Sequence, residues 1–435
     1  MRPPGQSSVD KERHYLTRDE VLEILGIKPQ TLYAYVSRGI IRALPRPGRR
    51  SNLYLGDDVE RIRSRGAARA GLGAIAASAM QWGEPIIATN ITQITEAGPR
   101  YRNRLAVDLA RSNASFETVA EFLWEGTWVE QAHGWAAPRT PAAVISQLAK
   151  GANSSRNPHV MQLMILGVGL LGVSHGSRRE RAVSGIAQAL LIRQAIRVIA
   201  GVLGFLGPQR RFLELRPQET IASGVARAFG LEPSIDALRA INAMLVLDLD
   251  HELTSSTFSA RIAASVGADL HACLGAALNT HYTEITGARA DKVEELFGLR
   301  RDRGAILRRV EGMLASAQRV PGFDHPFYPN GDPRAAILLA LARGLGKGKR
   351  GVVAMLGTVD QLQEKLGLRP SFDLGAVAVC RALGLPPQTA SGLRSLARTA
   401  GWAAHVAEQR LSASMLRPRA RYVGPSVRTD DRVPD

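Results

Sequence analysis

Six polar residues spread over about the last two hundred positions could do chemistry together: His251, His325, Arg334, Asp373, Arg398 and Arg417. Two imidazoles, three guanidiniums and one carboxylate can hold a small dicarboxylate and offer one base, which is what carbon-acid chemistry needs. Taken singly each has a plainer reading. His251 can be a satisfied core histidine, Asp373 a helix cap, and Arg398 and Arg417 surface charges on a basic chain.

Their joint occurrence in ordered segments argues against that. The segments are Asp250-His-Glu-Leu-Thr-Ser-Ser-Thr-Phe-Ser-Ala-Arg261, Gly322-Phe-Asp-His-Pro-Phe-Tyr-Pro-Asn-Gly-Asp-Pro-Arg334, Pro370-Ser-Phe-Asp-Leu374, Arg398-Thr-Ala-Gly-Trp-Ala-Ala-His405 and Arg417-Pro-Arg-Ala-Arg-Tyr-Val-Gly-Pro425. In content and order they resemble citrate synthase, the acyl transferase that condenses acetyl-CoA with oxaloacetate. Tyr101-Arg-Asn and Ser115-Phe-Glu-Thr-Val-Ala-Glu-Phe-Leu-Trp-Glu-Gly126 look like the family's N-terminal region, so the resemblance runs over roughly residues 80 to 430.

That reaction removes a weakly acidic methyl proton, stabilises an enolate oxygen, polarises a ketone and anchors two carboxylates. The resemblance implies that Asp373, in Ser371-Phe-Asp-Leu, is the base, that His325 polarises the ketone and that His251 binds substrate. It implies carboxylate clamps at Arg334 and Arg398, with Arg417 donated across a homodimer interface. A lysine could not reproduce a guanidinium's two parallel hydrogen bonds.

The donor side departs from the family. Gly-Pro-Leu-His-Gly-Gly-Ala is replaced by Thr283-Glu-Ile-Thr-Gly-Ala-Arg289, which puts Thr286 where the enolate-stabilising histidine stands. Losing one oxyanion donor typically costs ~3 to 4 kcal/mol, which impairs a catalyst without erasing it. A threonine hydroxyl can still donate, and His281, a turn and a half upstream, is a second candidate donor, though it reads more readily as a surface or helix-end histidine. Asp324 replaces the second glycine of Gly-Phe-Gly-His; at about 5 Å from a substrate carboxylate and an effective dielectric of about 20 it would repel by roughly 3 kcal/mol. Either it turns away, or the ligand is not oxaloacetate.

The elements that must position these groups are helices. Apolar residues recur at three- and four-residue spacing in Ala187 to Val202 and in Ile337 to Leu345, while period-two runs are short. The expected fold class is all-α: a large and a small helical domain of citrate-synthase type over 81–435, the small one about 287–385 and closing over the cleft to exclude water. The longest apolar run, Met161 to Val173, is shorter than the ~20 residues of a membrane span, so a cytoplasmic protein with no membrane partner is expected. Cys273 and Cys380 fall in apolar helical stretches and read as buried thiols. No His/Cys cluster has zinc spacing, so no metal is expected. The net charge of +17 is spread along the chain, which fits an arginine-rich surface that attracts phosphorylated cofactors better than a nucleic-acid tract.

Ahead of this lies a separate module. Residues 1–14 read as disordered and 66–80 as a small-residue linker. Thr17-Arg-Asp-Glu20 is a capping box for a helix through Leu25, Pro29 to Arg38 reads as a second helix, Pro45 to Asn52 as a basic wing, and Asp57 as the start of a third helix. Residues 15–65 are similar to the winged helix-turn-helix heads of MerR-like regulators and excisionases. On a DNA-binding reading Gln30, Thr31, Tyr33 and Arg38 face a groove while Arg46, Arg49 and Arg50 meet phosphates. The head's acidic residues equally allow a packing or dimerisation role.

Two functions follow from these residues. One is a condensing acyltransferase taking acetyl-CoA or another acyl-CoA as co-substrate and oxaloacetate or a related ketoacid as acceptor. The other is a dicarboxylate sensor, weakly active or inactive, fused to a DNA-binding head.

Overall fold

The computed structural model describes residues 15–45, 52–56, 58–59, 62–63, 87–131, 134–154, 158–175, 185–298, 302–412 and 414–418. The expected disordered stretch 1–14, the linker 66–80, and Arg46, Arg49 and Arg50 lie outside the described residues.

In the head, the backbone amide of Glu20 donates to Thr17 Oγ1 while the amide of Thr17 donates to the Glu20 carboxylate, 2.7 Å away. This reciprocal cap opens the helix Arg18–Leu25, which Gly26 closes at φ 61°. The second helix, Pro29–Ser37, starts on a proline whose missing N–H costs nothing there. Strands Tyr15–Leu16, Ala43–Pro45 and Asn52–Leu55 form an antiparallel sheet with Asn52–Leu55 in the centre, its Leu53 opposite Leu44 and its Tyr54 opposite Ala43. Val21, Leu32, Ile41, Tyr54 and Val59 make a small core between sheet and helices. The other face of the sheet, with Tyr15, Leu44, Leu53 and Leu55, is continuous with the core of the large body. The head is therefore packed onto the rest of the chain.

The body is helical. Its longest helix, Thr389–Leu411, is buried along most of its length and packs against Phe116–Glu125, Val160–His175, Gly185–Val202, Ile235–Leu247, Ser255–Ser265 and Leu270–His281. Gly401 permits a close approach of the loop after Ile235–Leu247: a Cβ there would lie 2.5 Å from Leu249 O and from the Asp250 carboxylate. The stretch Ala187–Phe205 is long and apolar enough for a membrane span by composition, yet 72% of it is buried inside the fold. Cys273 and Cys380 are buried.

Period-two patterning gave no warning of one element, a three-stranded antiparallel sheet of Thr92–Thr95, Gly98–Tyr101 and Arg104–Leu105. Its buried Tyr101 donates to Val246 O at 2.9 Å and accepts from the amide of Asp250 at 3.4 Å. The sheet so pins the loop that carries His251.

Candidate active site

Four helix ends converge on one buried cluster. Asp248 caps the C-terminus of Ile235–Leu247, Asp332 and Arg334 open Pro333–Leu345, and Asp373 lies in the first turn of Phe372–Leu383. Arg394 and Arg398 stand one turn apart on Thr389–Leu411, so they share a face. Arg289 begins Arg289–Leu296.

Asp248 is the hub. It is wholly buried and receives Arg334 Nη1 at 3.0 Å and Arg398 Nη2 at 2.7 Å on one oxygen, with Arg394 Nε 3.3 Å from the other. A carboxylate at a helix C-terminus has the wrong sign for the helix dipole, and burial alone would raise its pKa. The three guanidiniums outweigh that desolvation and hold it at about 2. Arg334 is further engaged by Asp332, through Nε at 3.0 Å and Nη2 at 2.9 Å, so each of its three nitrogens already meets a carboxylate of the chain. The guanidinium expected to clamp a ligand carboxylate thus gives three of its five N–H groups to Asp332 and Asp248. Asp332 also accepts from the amide of Phe372, which sets the helix start that presents Asp373.

Asp373 is buried with a guanidinium at each oxygen, Arg394 on one and Arg289 3.4 Å from the other. It sits at a helix N-terminus, where the dipole favours its charge. Arg394, on both Asp373 and Asp248, joins the proposed base to the arginine set.

The imidazoles are neighbours. His251 and His325 rings meet edge to face, 5.2 Å apart, and Tyr328 closes a triangle with them. His251 Nε2 pairs with the Tyr328 hydroxyl at 2.9 Å, and the Tyr328 ring lies 5.4 Å from the Arg334 guanidinium. His325 Nδ1 accepts from the amide of Phe327 at 3.2 Å, which places the proton of the neutral ring on Nε2 as a donor. Desolvation first, and Arg334 second, push both histidines well below the usual imidazole range. An open cleft of about 860 Å³, lined among others by Thr92, Gln93, Arg102, Glu252 and Phe327, has neither histidine in its wall; the Phe327 ring is 5.8 Å from His251 and 5.9 Å from His325.

On the donor side Thr286 Oγ1 donates to His281 O at 2.6 Å and pairs with Thr283 Oγ1 at 2.7 Å, so its hydroxyl is taken up within its own turn. His281, read from sequence as a surface or helix-end residue, is 3% exposed, packs edge-on against Trp402 at 5.2 Å, and has no hydrogen-bond partner at Nε2 among the described residues. Desolvation, then the charges of Arg394 and Arg398, lower its pKa well below the ordinary value. It does end the helix Leu270–His281, but on the buried side, and the apolar character of that helix was the available signal.

Asp324 turns away from the arginines. At φ 53° it accepts from Tyr15 Oη at 2.8 Å and from the amide of Arg369 at 3.1 Å. The repulsion expected if it faced a ligand carboxylate therefore does not arise from its position. Arg417 is exposed in the single chain. In the head, Gln30, Tyr33 and Arg38 are exposed and Thr31 is half-buried.

Residues 79–419 match the family model described as citrate synthase, C-terminal domain. The chain belongs to the citrate synthase family. Residues 15–66 match a helix-turn-helix domain model. Among relatives of this citrate synthase family chain, citrate synthase 2 of Bacillus subtilis is 27% identical over 342 residues, covering 73% of this chain and 88% of that one. The 2-methylcitrate synthase of Shewanella oneidensis is 27% identical over 344 residues, covering 77% and 91%. In fold the chain is similar to the Thermoplasma acidophilum citrate synthase solved with carboxymethyl coenzyme A and oxaloacetate, at TM-score 0.69 and 22% identity over 79% of this chain and 95% of that one.

Proposed function

We propose that the chain is a condensing acyltransferase that joins an acyl-CoA, acetyl-CoA in the first instance, to a 2-oxo acid and releases CoA. The observation that carries this reading is Asp373: a buried carboxylate at a helix start, tied through Arg394 to the arginine set that leads to His251 and His325. Asp373 removes the methyl proton of the thioester. Arg394 and Arg289 hold two of its lone-pair positions, which leaves others open to a substrate C–H. His325, neutral and donating from Nε2, polarises the acceptor carbonyl, and His251 orients the acceptor beside it. A neutral imidazole polarises a carbonyl without protonating it, and water exclusion in the buried cluster strengthens each of these contacts.

Because the Thr286 hydroxyl is engaged by His281 O, the donor to the enolate oxygen is His281 rather than Thr286. Arg398 Nε is buried and unpartnered among the described residues, which suits a substrate carboxylate, and Arg417 of a second copy completes the clamp in a homodimer. The CoA moiety needs no metal in this scheme. A thiol-release assay with acetyl-CoA and a panel of 2-oxo acids tests the reading: CoA release that depends on the acid supports it, and no release with any acid removes it.

A second reading has its own supporting observation. Arg42 of the head, held by Asp58 at 3.0 Å, donates through Nη1 to the carbonyl of His325 at 3.3 Å. A head that touches the backbone of a ligand-facing histidine suits a cytoplasmic regulator whose DNA binding through Gln30, Thr31, Tyr33, Arg38, Arg49 and Arg50 answers to ligand. Gel shifts with and without a 2-oxo acid, over a salt titration, test it, since phosphate-driven binding weakens steeply as salt rises. Shifts insensitive to the acid remove the coupling.

A further inference from the structure

We infer that Arg42 and Tyr15 of the head are positioning residues for His325, so that the helix-turn-helix module is a structural part of the condensing site whether or not it carries DNA. The inference rests on the condensing reading above and gives that same site a support from outside the body.

His325 sits in a turn that is gripped from two directions. From one, the segment leading to Asp373 holds it: the amide of Asp324 donates to Arg369 O at 2.8 Å and that of Ser371 to Gly322 O at 2.8 Å, with Phe323 and Pro370 paired as an antiparallel bridge. From the other comes the head. Tyr15 Oη donates to Asp324 Oδ2 at 2.8 Å, one residue before His325, and Arg42 Nη1 donates to the carbonyl of His325 itself at 3.3 Å. The family match begins at residue 79, so both contacts reach the site from outside the matched region.

Arg42 is held for this purpose. Its Nε and Nη2 lie 3.0 and 3.1 Å from the two oxygens of the buried Asp58, its amide donates to the same carboxylate at 2.9 Å, and its carbonyl accepts from the amide of Leu55 at 3.1 Å. A planar guanidinium fixed along one edge has a fixed direction for its remaining nitrogen, and here that direction is His325 O. Asp324 is matched to the head in the same way. Its backbone takes φ 53°, which glycine adopts more readily, while its carboxylate offers Tyr15 an acceptor that glycine lacks.

The ring follows the main chain of this turn, because His325 Nδ1 is tied to the amide of Phe327 and Nε2 faces the acceptor. A displacement of about 1 Å at a polarising group can cost about a hundredfold in rate. The polarised carbonyl develops in the transition state, so the loss falls on turnover more than on binding.

The test compares the full chain with Arg42→Lys, whose single ammonium keeps the charge pair with Asp58 but lacks the fork that reaches His325 O. Oxaloacetate labelled at its keto carbon is bound without acyl-CoA and followed by carbon NMR, since polarisation by His325 moves that signal downfield. The native chain is expected to show the downfield signal and Arg42→Lys to lose most of it. With acetyl-CoA added, kcat for CoA release falls roughly tenfold in the variant, while KM for acetyl-CoA and the calorimetric affinity for oxaloacetate stay within about twofold. A purely structural role would lower the unfolding midpoint and leave the bound signal where it is. Should Arg42→Lys fail to fold, Arg42→Met combined with Asp58→Asn, which leaves no buried carboxylate unpaired, decides by the same readouts. No downfield signal in the native chain, a signal and kcat untouched by the replacement, or a kcat loss matched by an equal loss of oxaloacetate affinity overturns the inference. The NMR readout needs no turnover, so the two readings fail separately: a downfield signal lost in the variant, without CoA release by the native chain, removes the condensing reading alone, whereas CoA release unaffected by the variant removes only the positioning role.

Discussion

Tyr15 and Asp324, 309 positions apart, share a buried hydrogen bond of 2.8 Å that fastens the head to the turn carrying His325. Tyr15 is also held through its backbone, its amide donating to Ala317 O at 3.1 Å. Burial raises the Asp324 carboxyl above the usual range while Tyr15 and the Arg369 amide oppose the rise. Of the two alternatives the sequence left open for this glycine-replacing acid, the fold shows the first: it turns away and seats the head.

Tyr15→Phe removes one of the hydrogen bonds to that buried carboxylate. The expected loss is about 1–3 kcal/mol of unfolding free energy, the usual penalty for an under-satisfied buried acceptor. Chemical denaturation measures it, and a variant as stable as the native chain contradicts the docking role.

The donor assignment separates two neighbouring residues. Thr286→Val costs about 1 kcal/mol of stability through the lost bond to His281 O and changes turnover less than about tenfold. His281→Leu lowers kcat by roughly a hundred- to thousandfold. Steady-state CoA release measures both, and the reverse ranking returns the donor role to Thr286.

Arg334→Met leaves Asp248 and Asp332 buried with one guanidinium fewer. Breaking a buried pair from one side costs about 3–5 kcal/mol, so the variant should unfold at much lower denaturant. A shift under about 1 kcal/mol would show that the arginines are redundant to the fold.

The imidazoles give a pH signature. His251 and His325 have folded pKa values well below the usual 6.5, so below that pH the unfolded chain binds protons that the folded chain does not. Their contribution to stability is complete above the unfolded value and is lost as pH falls toward the depressed one. Glu117 and Glu294, each raised by burial to about 7, act in the opposite sense between 4.5 and 7, so the histidines are isolated by comparison with His251→Asn and His325→Asn. Thermal melts from pH 7 to 5 should show the native chain losing stability relative to each variant; a constant difference contradicts it.

Much of this was legible in the chain. The Thr17 capping box, Gly26 and Pro29 define two helices of the head by local chemistry alone, and the ordered segments around His251, His325, Arg334, Asp373, Arg398 and Arg417 led to the expectation of one shared pocket, of which the structure places Arg334 and Arg398 on one carboxylate. What stayed hidden was long-range. Asp248 lies 86 positions from Arg334 and 150 from Arg398, and nothing local marks it as their counter-ion. Arg394 could have been found from its place one turn before Arg398 on the same face. The sheet at residues 92–105 has strands too short for a clear alternation, and the orientation of Asp324 depends on a positive φ that sequence assigns to glycine first.

The most direct measurement of the central claim is exchange of the acetyl-CoA methyl protons with D2O, followed by NMR in the presence of a bound 2-oxo acid, with the native chain and with Asp373→Asn. The native chain is expected to incorporate deuterium into the methyl group, and Asp373→Asn to do so at least about a hundredfold more slowly while still binding the acid. No native incorporation, or incorporation untouched by Asp373→Asn, contradicts Asp373 as the base that begins the condensation.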